Sequence, residues 1–469
     1  MDLFQGVRTY FFGGKMNQRF KAIVVSGLVA GFFAAVSCVG AASAVPVDPP
    51  VKTCLDKLIG SKAANTLVSA KKLTKTQTAQ LAKCKKTAAA SPAGSASGST
   101  SGSTSGMVAL NYVLLSTVVS QQSGLGNISD PALVQVADGS VRMFFMNGNE
   151  QQAGISGYDN LQHSYVSSDG GNTWTLESGV RMSVQSPVSV NAINGAYEAW
   201  GKVLAPGNDQ LVHFTSANGK DFTSVGGGVI AVTACKGISG ASAAHLGDPQ
   251  MVKVAAGYIA YAHDSGNQTS PPFTRFVCAL TSTDGTTWTV DASKTISYST
   301  DIATNPETFR NASGVIEQIL PIDVAADPQT GARKGMQVRT STNDGASWSA
   351  LSELSFWGAD PDRLDLANGD SLLAFGGFDP RKGGLLAVAK KQTTNYKASR
   401  VETGMEKVTW VISGAAQSAI KIKNLCTSSD LSSTATFSTS GSNVTVTVVD
   451  SAGHTGCIYA LIGAEQALK

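Results

Sequence analysis

The most constraining feature of this 469-residue chain is an eight-residue segment that returns in one frame. Ser167–Trp174 reads SSDGGNTW, Thr281–Trp288 reads TSTDGTTW and Ser341–Trp348 reads STNDGASW, with a weaker copy, TSANGKDF, at Thr215–Phe222. In chain order the copies begin 48, 66 and 60 residues apart, a period that stacked or radially repeated units leave in a sequence. Within each copy an Asp or Asn offers a side-chain acceptor to nearby backbone N–H groups, and a Gly beside it is free to take positive φ. Alternation on either side of the first copy (HSYV before, TWTL after) predicts antiparallel strands. The shared eighth residue, Trp174, Phe222, Trp288 or Trp348, is expected to pack between neighbouring units. Asp169, Asp284 and Asp344 are therefore read as structural turn residues.

A second repeat precedes the first. Asp130-Pro131, Ser186-Pro187, Asp248-Pro249, Asn305-Pro306 and Asp360-Pro361 lie 56, 62, 57 and 55 residues apart. Most of them lead into a strand, a Gly-containing turn and another strand, as in PALVQVADGSVRMFFM. Proline at the first position of a strand lacks only a donor that is unpaired there. Five repeats of about four short strands each predict an all-β protein, a five-bladed β-propeller over 107–402, with six blades as the alternative. The fifth repeat has no eight-residue copy, and its Leu385–Ala389 run is expected to pair with the leading segment Val108–Val119 and close the ring.

The repeated segment resembles the Asp-box (BNR) repeat of sialidase-like β-propellers. Innermost propeller strands converge on the axis, so side chains at their ends meet in one pocket. The candidates are Asp130, Asp248, Glu307, Asp360 and Asp362, with Arg310 and Arg363 close behind. Glycoside hydrolysis needs two carboxyl groups, one held protonated and one ionised. In this the chain is similar to five-bladed glycosidases of the arabinanase and β-xylosidase group and the invertase-like group. That likeness implies Asp130 as base or nucleophile, Asp248 as orienting carboxylate and Glu307 as acid; Arg310, Asp360 and Arg363, near them in the sequence, are read as substrate-binding. The second repeat departs from it, with Ser186 where an Asp would be wanted.

Sialidase chemistry fits less well. Arg142, Arg275, Arg310, Arg339 and Arg363 are available for a carboxylate clamp, yet the Arg-Ile-Pro-type motif before the first box is missing. Tyr197 and Glu198 adjoin on a strand and face opposite sides. His163, His213, His245, His263 and His454 form no close-spaced ligand motif. No cofactor or metal site is expected, with a central ion left open. The leading function is recognition of an extracellular carbohydrate, with hydrolysis of its glycosidic bonds the favoured chemistry. The reading from a different class is a non-catalytic propeller that binds glycan or protein at the cell surface, and fold alone does not choose between them.

The flanks point to export. Lys15, Arg19 and Lys21 precede an apolar run, Ala22–Val39, and a small-x-small site, Ala42-Ser43-Ala44, so 1–44 reads as a signal peptide with an upstream extension before Met16. Cys38 sits in an imperfect lipobox, which makes lipid anchoring the lesser alternative to a secreted or periplasmic chain. Six cysteines then remain, two per segment, and pairing within segments gives Cys54–Cys84, Cys235–Cys278 and Cys426–Cys457. Residues 45–90 predict a helical hairpin of net charge +7, against −7 for 91–469. Such a basic module could adhere to an anionic cell-surface polymer; nucleic acid is not expected for an exported chain. A Ser/Gly linker spans 91–106, and 403–469 alternates as a small β module.

Overall fold

The computed structural model describes residues 108–468 except 110, 120–124, 126, 149–156, 185, 206–207, 237–245, 265–275, 295, 298–301, 304–305, 312, 324–331, 334–335, 355–357, 380–382, 393, 404–405, 451–455 and 463–465. The targeting segment, the basic hairpin with Cys54–Cys84 and the linker lie outside the described residues. Among the described residues the structure is all-β, seven antiparallel sheets with two short 3-10 turns. Five of the sheets follow one another along the chain, each built outward from its first strand. The first holds Asn127–Gln135, Val141–Gly148, Gln162–Ser167 and Thr175–Leu176. The second holds Val188–Ile193, Ala196–Ala205, Asn208–Ser216 and Thr223–Ile230. The third begins with Leu246–Val254 and Gly257–Asp264, the fourth with Ile302–Ala303 and Glu307–Arg310, both paired with Ile316–Asp323. The fifth holds Ala359–Asp365, Ser371–Asp379, Gly383–Lys391 and, as its outermost strand, Tyr112–Val119.

The closing pair aligns Val119 with Leu385 and Tyr112 with Lys391, which is the pairing expected of the 385–389 run. Each first strand lies against the first strand of the next sheet, and that of the fifth lies against that of the first. The arrangement is propeller-like, with the first strands around a common hub.

Cores between adjacent sheets hold the ring together. Phe145, Met143 and Leu133 of the first sheet pack on Leu372, Leu386 and Val388 of the fifth, and Trp200 and Leu211 of the second on Tyr258, Ala260 and Leu280 of the third. The aromatic of each repeated turn lies between its own sheet and the preceding one. Trp174 reaches the fifth sheet, its Nε1–H donating to Ser116 Oγ at 2.9 Å. Phe222 meets Phe144 edge-on at 5.5 Å, and Trp348 meets Tyr261 at 5.6 Å. Trp288 completes the core between the second and third sheets.

The turns themselves are built from hydrogen bonds. Asp169 Oδ1 accepts the Thr173 N–H at 2.9 Å and Oδ2 the Thr173 hydroxyl at 2.6 Å; these bonds hold its carboxyl down to about 2. Asp284 does the same for the N–H groups of Thr286 and Thr287, at 2.8 and 2.7 Å. In the fourth sheet the acceptor is Asn343, which takes the Ser347 N–H at 2.9 Å. Asp344, expected in that role, instead sits at φ 52 and pairs with Arg310 at 3.1 Å. It occupies the frame position that Gly170 holds in the first copy, at φ 71.

The following glycine is where each turn touches the preceding sheet. A Cβ on Gly345, φ +78, would overlap the Tyr261 hydroxyl, whereas one on Gly139, φ +87, would meet nothing within 4 Å. Gly345→Ala should cost roughly 1–3 kcal/mol more than Gly139→Ala in urea denaturation, since both strain φ but only one also clashes. Equal losses would count against this role for the turn.

The remaining two sheets form a sandwich at the C-terminus. Lys397–Thr403 pairs with Lys407–Ser413, so the module starts before Lys397; the expected boundary at 402/403 cuts through this hairpin. Trp410, Ile412, Val446 and Val448 of one sheet pack on Ile420, Ile422, Ile458 and Ile462 of the other. The second sheet is apolar on both faces: Tyr459 and Leu461, with the disulfide-bonded Cys426 and Cys457, join Leu373, Phe375 and Leu385 of the fifth sheet in one core. Val108–Ala109 and Ala332–Arg333 add to the module's first sheet through Lys397–Thr403. The second described disulfide, Cys235–Cys278, ties the connection after the second sheet to the third.

Candidate active site

The X-Pro pairs stand at one end of the first strands, and in three sheets the structure places them inside the strand instead of at its start. Register shifts fall between Ser129 and Ala132, Gly247 and Gln250, and Ala359 and Asp362. Two residues there oppose one, which defines a β-bulge, a device common beside active sites because it re-aims side chains. Asp130 and Asp360 open their bulges at φ 54 and 49, a left-handed conformation that Asp tolerates better than most residues. Proline then fills the position where a ladder donor would be lost. The Asp130 carboxylate accepts the Ser129 hydroxyl at 2.5 Å. Asp248 stands in the corresponding bulge, and its side chain lies outside the described residues.

The acids that the ring brings together are the ones after proline. Glu307 follows Pro306 and Asp362 follows Pro361, and their carboxyl groups share a hydrogen bond. Glu307 is 2% exposed and Asp362 8%. The Leu133 N–H from the first sheet donates to Asp362, and the Arg363 N–H serves the same pair. Strands of the fourth, fifth and first sheets thus converge on these two side chains.

Glu307 Oε2 is buried with no donor facing it, and since two ionised carboxylates cannot donate to each other, a hydrogen bond between the pair requires a proton on one of them. Burial, then the charge of Asp362 and the bond to it, push Glu307 well above the usual carboxylate range. Burial pushes Asp362 to about 6 against the pull of its hydrogen bonds. A carboxyl kept protonated by an apolar site and an acidic neighbour is the form a proton donor must take near neutral pH.

Arg310 and Arg363, read as substrate-binding, are engaged away from this pair. Arg310 closes its four-residue strand at the end opposite Glu307 and pairs with Asp344. Arg363 adjoins Asp362 and so faces the other side of its strand. There it meets Glu317 at 2.6 Å and Asp365 at 3.2 Å and stacks over Phe309 at 4.3 Å. Of the other arginines, Arg142 binds Glu177 at 2.6 Å, Arg339 donates to Gln318 and covers Trp348 at 4.6 Å, and Arg275 lies outside the described residues. Glu198 takes its hydroxyl from Tyr258 of the third sheet, at 2.9 Å, near the repeated turns. Among the described residues no group of three His, Cys, Asp or Glu side chains could hold a metal ion.

What sequence reading missed was the register. Only the fourth and fifth repeats carry an acid directly after proline, Asn-Pro-Glu and Asp-Pro-Asp, and that shared position was the available signal. The Leu133 N–H had none, because a main-chain donor leaves no mark in a sequence.

No family model matches the sequence, and no curated protein matches it. Among solved structures the chain is similar to a protein of unknown function from Dyadobacter fermentans, with 12% identity, 74% of this chain and 100% of that one covered, and a TM-score of 0.39. It is similar to an α-L-arabinanase from Penicillium chrysogenum (13% identity, 63% and 94% covered, TM-score 0.37). A family 117 glycoside hydrolase from Zobellia galactanivorans shares 12% identity over 61% of this chain and 90% of that one, with a TM-score of 0.43.

Proposed function

We propose that this chain is an exported, five-bladed β-propeller built on Asp-box turns that hydrolyses glycosidic bonds of an extracellular carbohydrate. The buried, hydrogen-bonded pair Glu307–Asp362 at the hub carries the reading. Glu307 delivers its proton to the glycosidic oxygen as the bond to the anomeric carbon breaks, and Asp362 is the carboxylate that keeps Glu307 protonated until then. This gives Asp362 the orienting part first assigned to Asp248. Asp130, on the strand that also supplies the Leu133 N–H, activates the attacking water or attacks the anomeric carbon itself. Asp360, in the matching bulge of the adjacent sheet, contacts substrate. The disulfides Cys235–Cys278 and Cys426–Cys457 suit an oxidising compartment, secreted or periplasmic. The basic 45–90 module holds the protein to an anionic surface polymer.

A hydrolysis screen over neutral and acidic plant, algal and fungal glycans tests this reading. The wild type should cleave at least one, and Glu307→Gln and Asp130→Asn should each lose on the order of 100-fold or more of that activity. Unchanged rates in both variants would remove the assignment. The anomeric form of the first product distinguishes water activation from direct attack.

One observation favours the non-catalytic alternative: Glu307 is 2% exposed and its Oε2 is closed to solvent. On that reading the propeller binds glycan without cleaving it. Glycan binding by wild type and Glu307→Gln alike, with no cleavage by either, would establish it.

A further inference from the structure

The seam between the second and third sheets holds a buried histidine with one ring nitrogen unserved. The His213 ring stacks face to face on Trp200, 4.6 Å between centroids and 4° between planes. Its Nε2 lies 3.0 Å from Glu198 Oε2, and Glu198 also accepts the Tyr258 hydroxyl from the third sheet at 2.9 Å. The turn of the third sheet closes over the ring. Trp200 Nε1–H donates to the Gly285 carbonyl at 2.7 Å, and a Cβ on Gly285 would lie 3.5 Å from His213 Cε1. Nδ1 is buried with no partner.

Since Glu198 is an acceptor, Nε2 carries the hydrogen and Nδ1 is a bare lone pair. A second proton would create an N–H donor facing no acceptor, and a buried unmade hydrogen bond is costly. The charged groups around the ring do not remove that cost. Glu198 and the Asp284 carboxylate of the turn both favour a cation, but Glu198 sits at Nε2 and neither lies within hydrogen-bond reach of Nδ1. Lys253, 3.6 Å above the Tyr258 ring, bears a like charge.

We propose that this seam is an acid-opened latch: proton uptake at His213 Nδ1 lifts the Thr281–Trp288 turn from Trp200 and separates the second and third sheets at that end. Burial holds His213 below its ordinary 6.5, despite the pull of Glu198 and then Asp284. The unfolded or opened form therefore takes the proton first as pH falls. The latch is fully closed above about pH 6.5 and weakens as pH drops below it.

Backbone amide exchange in Thr281–Trp288 of the full chain, corrected for the intrinsic rate, reads the latch from about pH 8 to about pH 5. The wild type should lose roughly tenfold or more in protection across that range, with no matching loss in the first sheet. His213→Gln keeps an N–H donor for Glu198 and cannot take a proton, so its protection should be flat. Tyr258→Phe removes a donor from Glu198 and leaves more negative charge facing His213, so the closed form takes the proton more readily and acid should cost this variant less protection than it costs the wild type. Flat protection in the wild type, or a step that survives in His213→Gln, would overturn the latch. Should His213→Gln not fold, an acid-induced loss of protection in Tyr258→Phe as large as or larger than that of the wild type would overturn it as well.

Discussion

Replacing Glu307 with Gln will make the protein more stable at pH 8 while removing the hydrolysis proposed above. In the folded chain both acids of the pair hold their protons more tightly than in the unfolded chain, Asp362 at about 6 against a usual 3.8. Groups raised in this way contribute stability that is whole below about pH 4 and is lost as pH rises through their folded values. For Asp362 that window runs from about 4 to about 6, and Glu307 extends it upward. A Gln at 307 donates to Asp362 without a charge of its own, so it lifts the alkaline side of the stability curve. The gain at pH 8 should be on the order of 1–3 kcal/mol, and at pH 4 near zero. Urea denaturation of both proteins at the two pH values measures it. The His213 seam changes stability in the opposite direction, and it cancels in the difference between variant and wild type. A Gln variant less stable than wild type at pH 8 would mean that the two carboxyl groups do not share a proton.

The second large effect concerns the C-terminal module. Deleting residues 393–469 should leave a chain that does not fold. The deletion strips Cys426, Cys457, Tyr459 and Leu461 from a core that includes Leu373, Phe375 and Leu385, next to the strand that closes the ring. It also removes the partner strand of Val108–Ala109 and Ala332–Arg333. All described residues fall within a single compact unit, which leaves no independent domain to survive the cut. A milder probe is Trp410→Ala, at a fully buried position, which should cost about 3–5 kcal/mol. Circular dichroism and gel filtration of the truncated chain check the prediction. A monomeric, all-β product melting like the full chain would show the module to be dispensable.

The architecture was legible because its signals are local and repeated. The turn segments bound each unit, and the Leu385–Ala389 run, lacking a turn copy after it, pointed to an outside partner that Tyr112–Val119 supplies. Failures arose where one residue of register decides. Ser341 precedes Asn343 by two, as Ser167 precedes Asp169 and Ser282 precedes Asp284, and this offset marks the true acceptor. Matching on Asp-Gly alone chose Asp344. The Asp-Pro pairs looked like strand openings, yet in the first, third and fifth sheets the strand begins earlier and bulges there. That reading set Glu307 with Asp130 and Asp248, two residues before proline, whereas the structure couples it to Asp362, the other acid after proline. Arg310 and Arg363 were grouped with the acids by nearness in sequence, although strand length and alternation send their side chains elsewhere. Only the shared place directly after proline links Glu307 to Asp362 in the sequence; their contact comes from the packing of the fourth sheet on the fifth.

The most direct measurement is a count of protonated carboxyl groups at neutral pH, by carbon NMR of the full chain with labelled Asp and Glu side chains. One carboxylic acid signal should persist at pH 7 in the wild type and vanish in Glu307→Gln. A wild-type spectrum in which every carboxyl is ionised at pH 7 would contradict the shared proton.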